Sequence, residues 1–274
     1  RVGVCYKCGT VIEPMLMEQW FMKMKPLAER AIEAIEADKI TFRPANRKDI
    51  GLDYLKNIRD WNISRQIPWG IPIPAFQEEG GEEWIYNEST EGKIEVGGKT
   101  YIRDGDTFDT WMSSTQFPYL ALGYDTSNSE QSTDVFKEFF PTAWLQLGRE
   151  IFNQWGLRMI MMASYNLDEV PFKTLYVNGN IRSEDGRKMS KSFGNNIPAR
   201  EILDEYGSDA LRMGMIAMDN SAGADKAFDR SKIVAGRNFA NKLWNVARFI
   251  ESLMDKEGFK VENLEVAEPK SVAD

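Results

Sequence analysis

The chain has 274 residues, with 34 Lys and Arg against 42 Asp and Glu and a formal net charge of -8. That length can bury a real core in one large or two modest domains, and 42% hydrophobic with 28% charged residues is a globular composition. The acidic balance excludes nonspecific binding along a whole nucleic-acid surface, and the absence of histidine removes imidazole acid–base chemistry, Ser-His triads and His metal ligands together.

Cys5-Tyr6-Lys7-Cys8-Gly9 reads as a tight turn between short extended pieces. Leu27, Ala28, Ala31, Ile32 and Ile35 recur at helical spacing behind Pro26, which predicts a helix over 25–38. Leu52, Leu55, Ile58 and Trp61 predict a second over 50–61. Pro68, Pro72 and Pro74 then force an extended path. Residues 77–107 are polar and read as a surface insertion. Within them Lys93–Val96 and Lys99–Ile102 flank Gly97-Gly98 as a β-hairpin.

Ala143-Trp144-Leu145-Gln146-Leu147 reads as a buried strand ending at Gly148. A helix over 149–165 and a strand at Thr174–Val177 follow. Strand, helix and strand at this spacing predict a βαβ unit and a parallel sheet, so the fold class is α/β. Ligands of such sheets bind beyond the carboxyl ends of the strands. Gly148 and Glu150 fall at that end. A glycine there lets a nucleotide approach the backbone and a carboxylate can hold ribose hydroxyls, although an acid in a first helical turn is also favourable without any ligand. Helices are expected near 198–206, 208–218 and 230–254, the last with Phe239, Leu243, Ala247 and Ile250 as a stripe. Residues 230–248 carry basic side chains, Arg237 and Lys242 among them, and no acid. That run suits nucleic-acid phosphates or a solvated helix edge equally well.

Between these elements lies Gly186-Arg187-Lys188-Met189-Ser190-Lys191-Ser192-Phe193-Gly194-Asn195. Three cations and two hydroxyls within six residues, bounded by glycines, suit a polyphosphate. The spacing is not that of a Walker A loop. The run Lys188–Ser192 resembles the Lys-Met-Ser-Lys-Ser signature of the class I aminoacyl-tRNA synthetases.

Further blocks carry the same resemblance. Asp60–Gln66 with Pro68–Pro74, and Asp109–Ser114, are similar to the valine, isoleucine and leucine members. Cys5–Pro14, Gln19–Phe21 with Lys23–Leu27, Arg158–Met162 and Arg237–Asn245 are closer to the valine members than to the isoleucine members. The resemblance implies a fragment of a longer ligase. Residues 1–195 would be the C-terminal half of a Rossmann-like catalytic domain, 196–228 a stem-contact region and 229–274 the start of a helical anticodon-binding domain. The family's His-x-Gly-His motif is absent from this sequence, and the editing domain would lie outside it as well.

The resemblance further implies ATP with Mg2+, valine and tRNA as partners. Lys188 and Lys191 would be catalytic, and Gly148, Glu150, Met189, Ser190 and Ser192 would meet ATP. Trp69, Ile151 and Trp155 would wall the amino-acid pocket, the alternative for the tryptophans being ordinary core. Arg237 and Lys242 would contact tRNA. Cys5 and Cys8 have the spacing of half a zinc knuckle, but structural zinc needs four ligands and no other Cys or His exists in the sequence, so no zinc site is expected. No apolar run approaches the ~18 residues of a membrane span, and two cysteines fit a reducing cytoplasm, the location expected. The alternatives are an isoleucine ligase fragment and a noncatalytic module that holds ATP or tRNA.

Overall fold

The computed structural model describes residues 2–5, 8–13, 15–190, 194–218 and 223–257. The chain forms two compact units, Arg1–Val177 and Asn178–Asp274.

The first unit opens with the expected turn, in which Val4 bridges Val11 and the Cys5 N–H donates to the Thr10 carbonyl at 2.8 Å. Strand β1 (Phe21–Met22) leads into helix α1 (Lys25–Glu36). Its predicted apolar stripe is buried except for the half-buried Ile32, with Pro26 in the first turn, where no intrahelical N–H is lost. Strand β2 (Thr41–Arg43) and helix α2 (Arg47–Lys56) follow. This second helix starts earlier than predicted and stops at Lys56. Trp61 is drawn instead into β3 (Trp61–Asn62), antiparallel to β1.

After β4 (Ser64–Arg65) the proline stretch is extended as predicted, with Pro72 bridging Thr107. Strands β5 (Ala75–Glu78), β6 (Trp84–Tyr86), β7 (Lys93–Val96) and β8 (Lys99–Arg103) form an antiparallel sheet in the order β6-β5-β8-β7. The predicted hairpin joins β7 to β8, and Gly97 and Gly98 take the positive φ values of 58° and 80° that its turn requires. This four-stranded sheet buries Phe76 and Tyr101. Strand β9 (Thr107–Phe108) returns to pair with β4. Three short helices follow, α3 (Thr110–Ser114), α4 (Phe117–Leu120) and α5 (Asp134–Phe139).

The predicted βαβ unit is β10 (Thr142–Gly148), α6 (Arg158–Leu167) and β11 (Phe172–Asn178). The sheet order is β10-β11-β2, and β11 is parallel to β2 with Leu175 opposite Phe42. The Thr142 N–H donates to the Pro171 carbonyl at 3.1 Å, so β10 and β11 start side by side and run the same way. The core lies between this sheet and the α1–α6 pair, with Ile35, Leu157, Met159, Ile160, Met161, Leu175 and Val177 essentially inaccessible. One expectation is corrected. Strand β10 is not buried: Leu147 is, but Trp144 is 52% exposed and stacks on Tyr176 with ring centroids 5.2 Å apart. The reason is position, since β10 is an outer strand of its sheet and turns only some of its side chains to the core.

The second unit contains β12 (Ile181–Arg182), α7 (Ala199–Tyr206), α8 (Ser208–Met218), β13 (Lys226–Ala227) and α9 (Arg230–Glu257). Strands β12 and β13 pair in parallel. Ile202, Ala210, Phe228 and Ile233 form a small core. Helices α8 and α9 cross closely at Gly214, where a Cβ would sit 2.4 Å from the Ile233 side chain. The predicted stripe on α9 is present, but Phe239, Leu243 and Ile250 are exposed. No helix among the described residues is long and apolar enough to cross a membrane.

Candidate functional site

In the first unit the site begins where β10 ends. Gly148 is extended (φ -70°, ψ 149°), so it is not required by a left-handed backbone. A Cβ there would lie 3.0 Å from Glu150 Oε2, because the carboxylate folds back over the glycine. The two residues singled out in the sequence therefore form one contact at the strand-to-helix turn.

The helix predicted over 149–165 is not uniform. Arg149–Ile151 form a 3-10 turn and Phe152–Leu157 a π-helical stretch before the regular α6. Gly156 makes room for this: a Cβ on it would meet Leu147 Cδ2 of β10 at 2.8 Å. Wide turns of this kind concentrate at functional sites. Apolar periodicity gives no signal for them. Ile151 and Trp155 each pack here as half-buried side chains against the core. The Trp155 indole N–H donates to the Ser114 carbonyl at 3.1 Å. Trp69 is not brought to them; it is 89% exposed on the proline stretch.

Beside the π stretch is a polar cavity of about 370 Å3, lined by Tyr54, Trp61, Arg65, Asp109, Gln154 and Arg158. Asp109 is 5% exposed. It accepts from the Trp61 indole at 3.0 Å and from the Arg65 guanidinium at 2.6 Å. The Arg158 guanidinium lies 3.7 Å from the centre of the Trp61 ring, a close cation–π contact. Burial pulls its pKa below the ordinary value, against Tyr54 and Asp109, which raise it.

In the second unit the glycine-bounded loop is held by side chains that composition alone did not point to. The Asn195 Oδ1 accepts from the Ser190 N–H at 2.9 Å. Its Nδ2 donates to the Lys188 carbonyl at 3.0 Å and to the Ser183 hydroxyl at 3.2 Å. One carboxamide thus clasps both sides of the loop, whose ends turn at Gly186 (φ 80°) and Gly194 (φ 65°). Asp185 takes the Arg187 N–H at 3.2 Å and the Arg187 Nε at 2.6 Å. The Ser183 hydroxyl first, then the Arg187 backbone, lower its pKa to about 2. Asp225 fixes the start of the loop by accepting from the Asn180 N–H at 3.0 Å and the Arg182 Nε at 2.9 Å.

On this frame Lys188 is exposed. Met189 is half-buried against the Ile202–Phe228 core and anchors the loop by packing. Lys191 and Ser192 lie outside the described residues. Arg237 is exposed, with its guanidinium 5.6 Å from the Tyr206 ring centre, and Lys242 is exposed farther along α9. Cys5 and Cys8 are free thiols. The Thr10 hydroxyl and backbone lower the Cys8 pKa to about 7. Among the described residues no group of three or more Cys, Asp and Glu converges as a metal site.

The first unit thus has a parallel α/β sheet with a carboxylate at its strand-to-helix turn, and the second a clasped loop that carries Lys188. Residues 6–229 match the family of class I tRNA synthetases (I, L, M and V), and the chain belongs to that family. Among its relatives, the valine–tRNA ligase of Carboxydothermus hydrogenoformans is 42% identical over 97% of this chain and 30% of its own length. The valine–tRNA ligase of Fusobacterium nucleatum is 41% identical over 96% of this chain and 29% of its own. The chain thus spans about 30% of the relatives it matches. The Mycobacterium tuberculosis methionyl-tRNA synthetase in complex with methionyl-adenylate has the same fold, with a TM-score of 0.67 over 93% of this chain and 44% of its own, at 18% identity.

Proposed function

We propose that this chain is part of a valine–tRNA ligase and supplies one half of its catalytic domain together with the signature loop. The observation that carries this reading is the similarity to valine–tRNA ligases along 97% of the chain. In the reaction a valine carboxylate oxygen attacks the α-phosphate of ATP and the bond to pyrophosphate breaks; a hydroxyl of the terminal ribose of tRNA then attacks the acyl carbon of the adenylate, and AMP leaves. The protein's contribution is orientation and stabilisation of charge on the leaving oxygens.

Lys188 suits that role as an exposed ammonium on a loop fixed at its base by Asn195. Lys191, Ser190 and Ser192 would add donors, and Met189 would hold the loop against its core. Gly148 would admit the nucleotide to the backbone, with Glu150 on the ribose hydroxyls. Ile151, Trp155 and Trp69 would wall the valine side chain. Such a wall excludes larger side chains well and smaller ones poorly, because a methylene is worth only ~1–3 kcal/mol. Mg2+ would be held chiefly by the phosphates and water, as is usual for this ion, since the described residues offer no cage of their own. Arg237 and Lys242 would meet tRNA phosphates. The stem-contact region (196–228) and the start of the anticodon-binding domain (229–274) belong to the same proposal. The His-x-Gly-His motif and the editing domain would be supplied by other parts of the ligase.

The test is amino-acid-dependent ATP–pyrophosphate exchange by the complete ligase and by this chain alone, with valine, isoleucine, leucine and threonine. Strong valine-dependent exchange by the ligase and none by the chain alone is expected. Lys191→Ala is expected to lower the single-turnover adenylation rate by roughly 10²-fold, as loss of a preorganised oxyanion donor does. Absence of exchange with every amino acid would leave a noncatalytic module.

A further inference from the structure

Trp155 lies on a π-helical stretch, so regular i to i-4 bonding does not dictate where its ring points. Its polar tether is the bond from the indole N–H to the Ser114 carbonyl. Ser114 is the last residue of α3, a five-residue helix too short to persist by itself. Asp109 sustains that helix. Its side chain caps the Trp111 N–H at 3.1 Å and its carbonyl accepts from the Met112 N–H at 2.8 Å. The same carboxylate is locked from behind by the Trp61 indole and the Arg65 guanidinium, and its own N–H donates to the Ile63 carbonyl at 2.7 Å. A second path returns to the same helical segment, because Arg158 sits on the Trp61 ring and begins α6 just after Trp155.

We propose that Asp109 is a positioning residue that sets the orientation of Trp155, through α3 and Ser114 on one side and through Trp61 and Arg158 on the other. Resting on the reading of Trp155 as a wall of the valine pocket, this makes Asp109 a determinant of amino-acid selectivity without touching the amino acid. A buried anion with several fixed donors is suited to the task. Charge-assisted bonds are shorter and stronger than neutral ones, and they hold geometry as well as energy. Asparagine at 109 keeps the shape but exchanges one acceptor oxygen for a donor, which faces both the Trp61 indole and the Arg65 guanidinium if it takes the Oδ2 position and the capped Trp111 N–H if it takes the Oδ1 position.

Two measurements test this independently. In the first, the chain is labelled with 5-fluorotryptophan and its 19F spectrum recorded, with Trp155→Phe assigning the Trp155 resonance. Asp109→Asn is expected to shift or broaden that resonance. Asp104→Asn, at another Asp that accepts an indole N–H (from Trp20 at 3.0 Å), is expected to leave it in place. Should Asp109→Asn fail to fold, Trp61→Phe removes a single bond to Asp109 and is read in the same way. An unmoved Trp155 resonance overturns the proposal.

In the second, valine-dependent exchange is followed in the complete ligase. Asp109→Asn is expected to raise the KM for valine about tenfold while the KM for ATP stays within about twofold, and to add nothing in a Trp155→Phe background. Fully additive effects overturn the proposal, because Asp109 would then act by another route. A ligase without valine-dependent exchange would remove the functional reading, and the 19F spectrum would still decide whether Asp109 orients Trp155.

Discussion

Asn195→Ala should open the signature loop without unfolding the unit that carries it. The Asn195 carboxamide makes three hydrogen bonds, to the Ser190 N–H, the Lys188 carbonyl and the Ser183 hydroxyl. All are neutral and start from a side chain near the surface, so each contributes toward the low end of the usual range, about 0.5–1 kcal/mol. Ser183 also keeps its contacts to Asp185 and the Arg187 carbonyl, so the substitution leaves no polar group stranded there. The total is about 2 kcal/mol, which is roughly 30-fold in the opening equilibrium. Amide hydrogen exchange reads this directly. The Ser190 N–H should lose about 30-fold in protection, while amides in the middle of α8 and α9 keep theirs. Asn195→Asp retains the acceptor and loses the donor, and should fall between the two. If Ser190 exchange changes by less than about threefold, the carboxamide does not hold the loop and the reasoning fails.

Three further outcomes are expected. Gly148→Ala should cost less than ~0.5 kcal/mol in stability, because its new methyl meets the flexible end of Glu150 and not backbone, yet it should raise the KM for ATP by displacing that carboxylate; thermal melting and pyrophosphate exchange separate the two effects. Asp185 has a folded pKa lowered to about 2 from 3.8, so its contribution is fully present above the ordinary carboxylate range and is lost as pH falls from about 4 toward 2. The amide shifts of Arg187 should titrate in that window, and an apparent midpoint near 4 would contradict the Ser183 and Arg187 contacts. Cys8, exposed and with a pKa of about 7, should be about half thiolate at neutral pH against about 3% for an ordinary thiol. Thr10→Val should slow its alkylation by iodoacetamide.

Much of the frame was legible because periodic patterns report burial faithfully when one face is covered. The α1 stripe, the Gly97-Gly98 hairpin and the β10-α6-β11 unit all follow from local chemistry. Trp144 shows where that logic stops. An apolar strand reads as buried from its composition, but what covers it is decided by sheet order, and β10 is an outer strand. The split of the 149–165 helix was equally invisible, since 3-10, π and α turns share their residue preferences; only Gly156, pressed against Leu147, hinted at it. The position of Gly148 and Glu150 at a strand-to-helix turn was legible. Asn195 was not, because a loop's internal clasp depends on which atoms meet when it folds back. Asp109 stood in the sequence directly before a short helix, where an acid is a favoured cap, but its grip on Trp61 and Arg65 spans more than forty residues and has no local signature.

The π stretch has a consequence for how this segment can change over time. Each residue of a regular helix advances the side-chain direction by about 100°, so a surplus residue puts the turns before and after it out of phase. Glu150 and Ile151 precede the widened turns, whereas Met159, Ile160 and Met161, which fill the core, follow them. Substitution at the leading turn can therefore alter what that end of the segment accepts while the trailing face keeps its packing. Removing one residue from Phe152–Leu157 would restore the phase and force the two ends to compete for the same direction. Length in this short interval should be far less tolerant of change than residue identity.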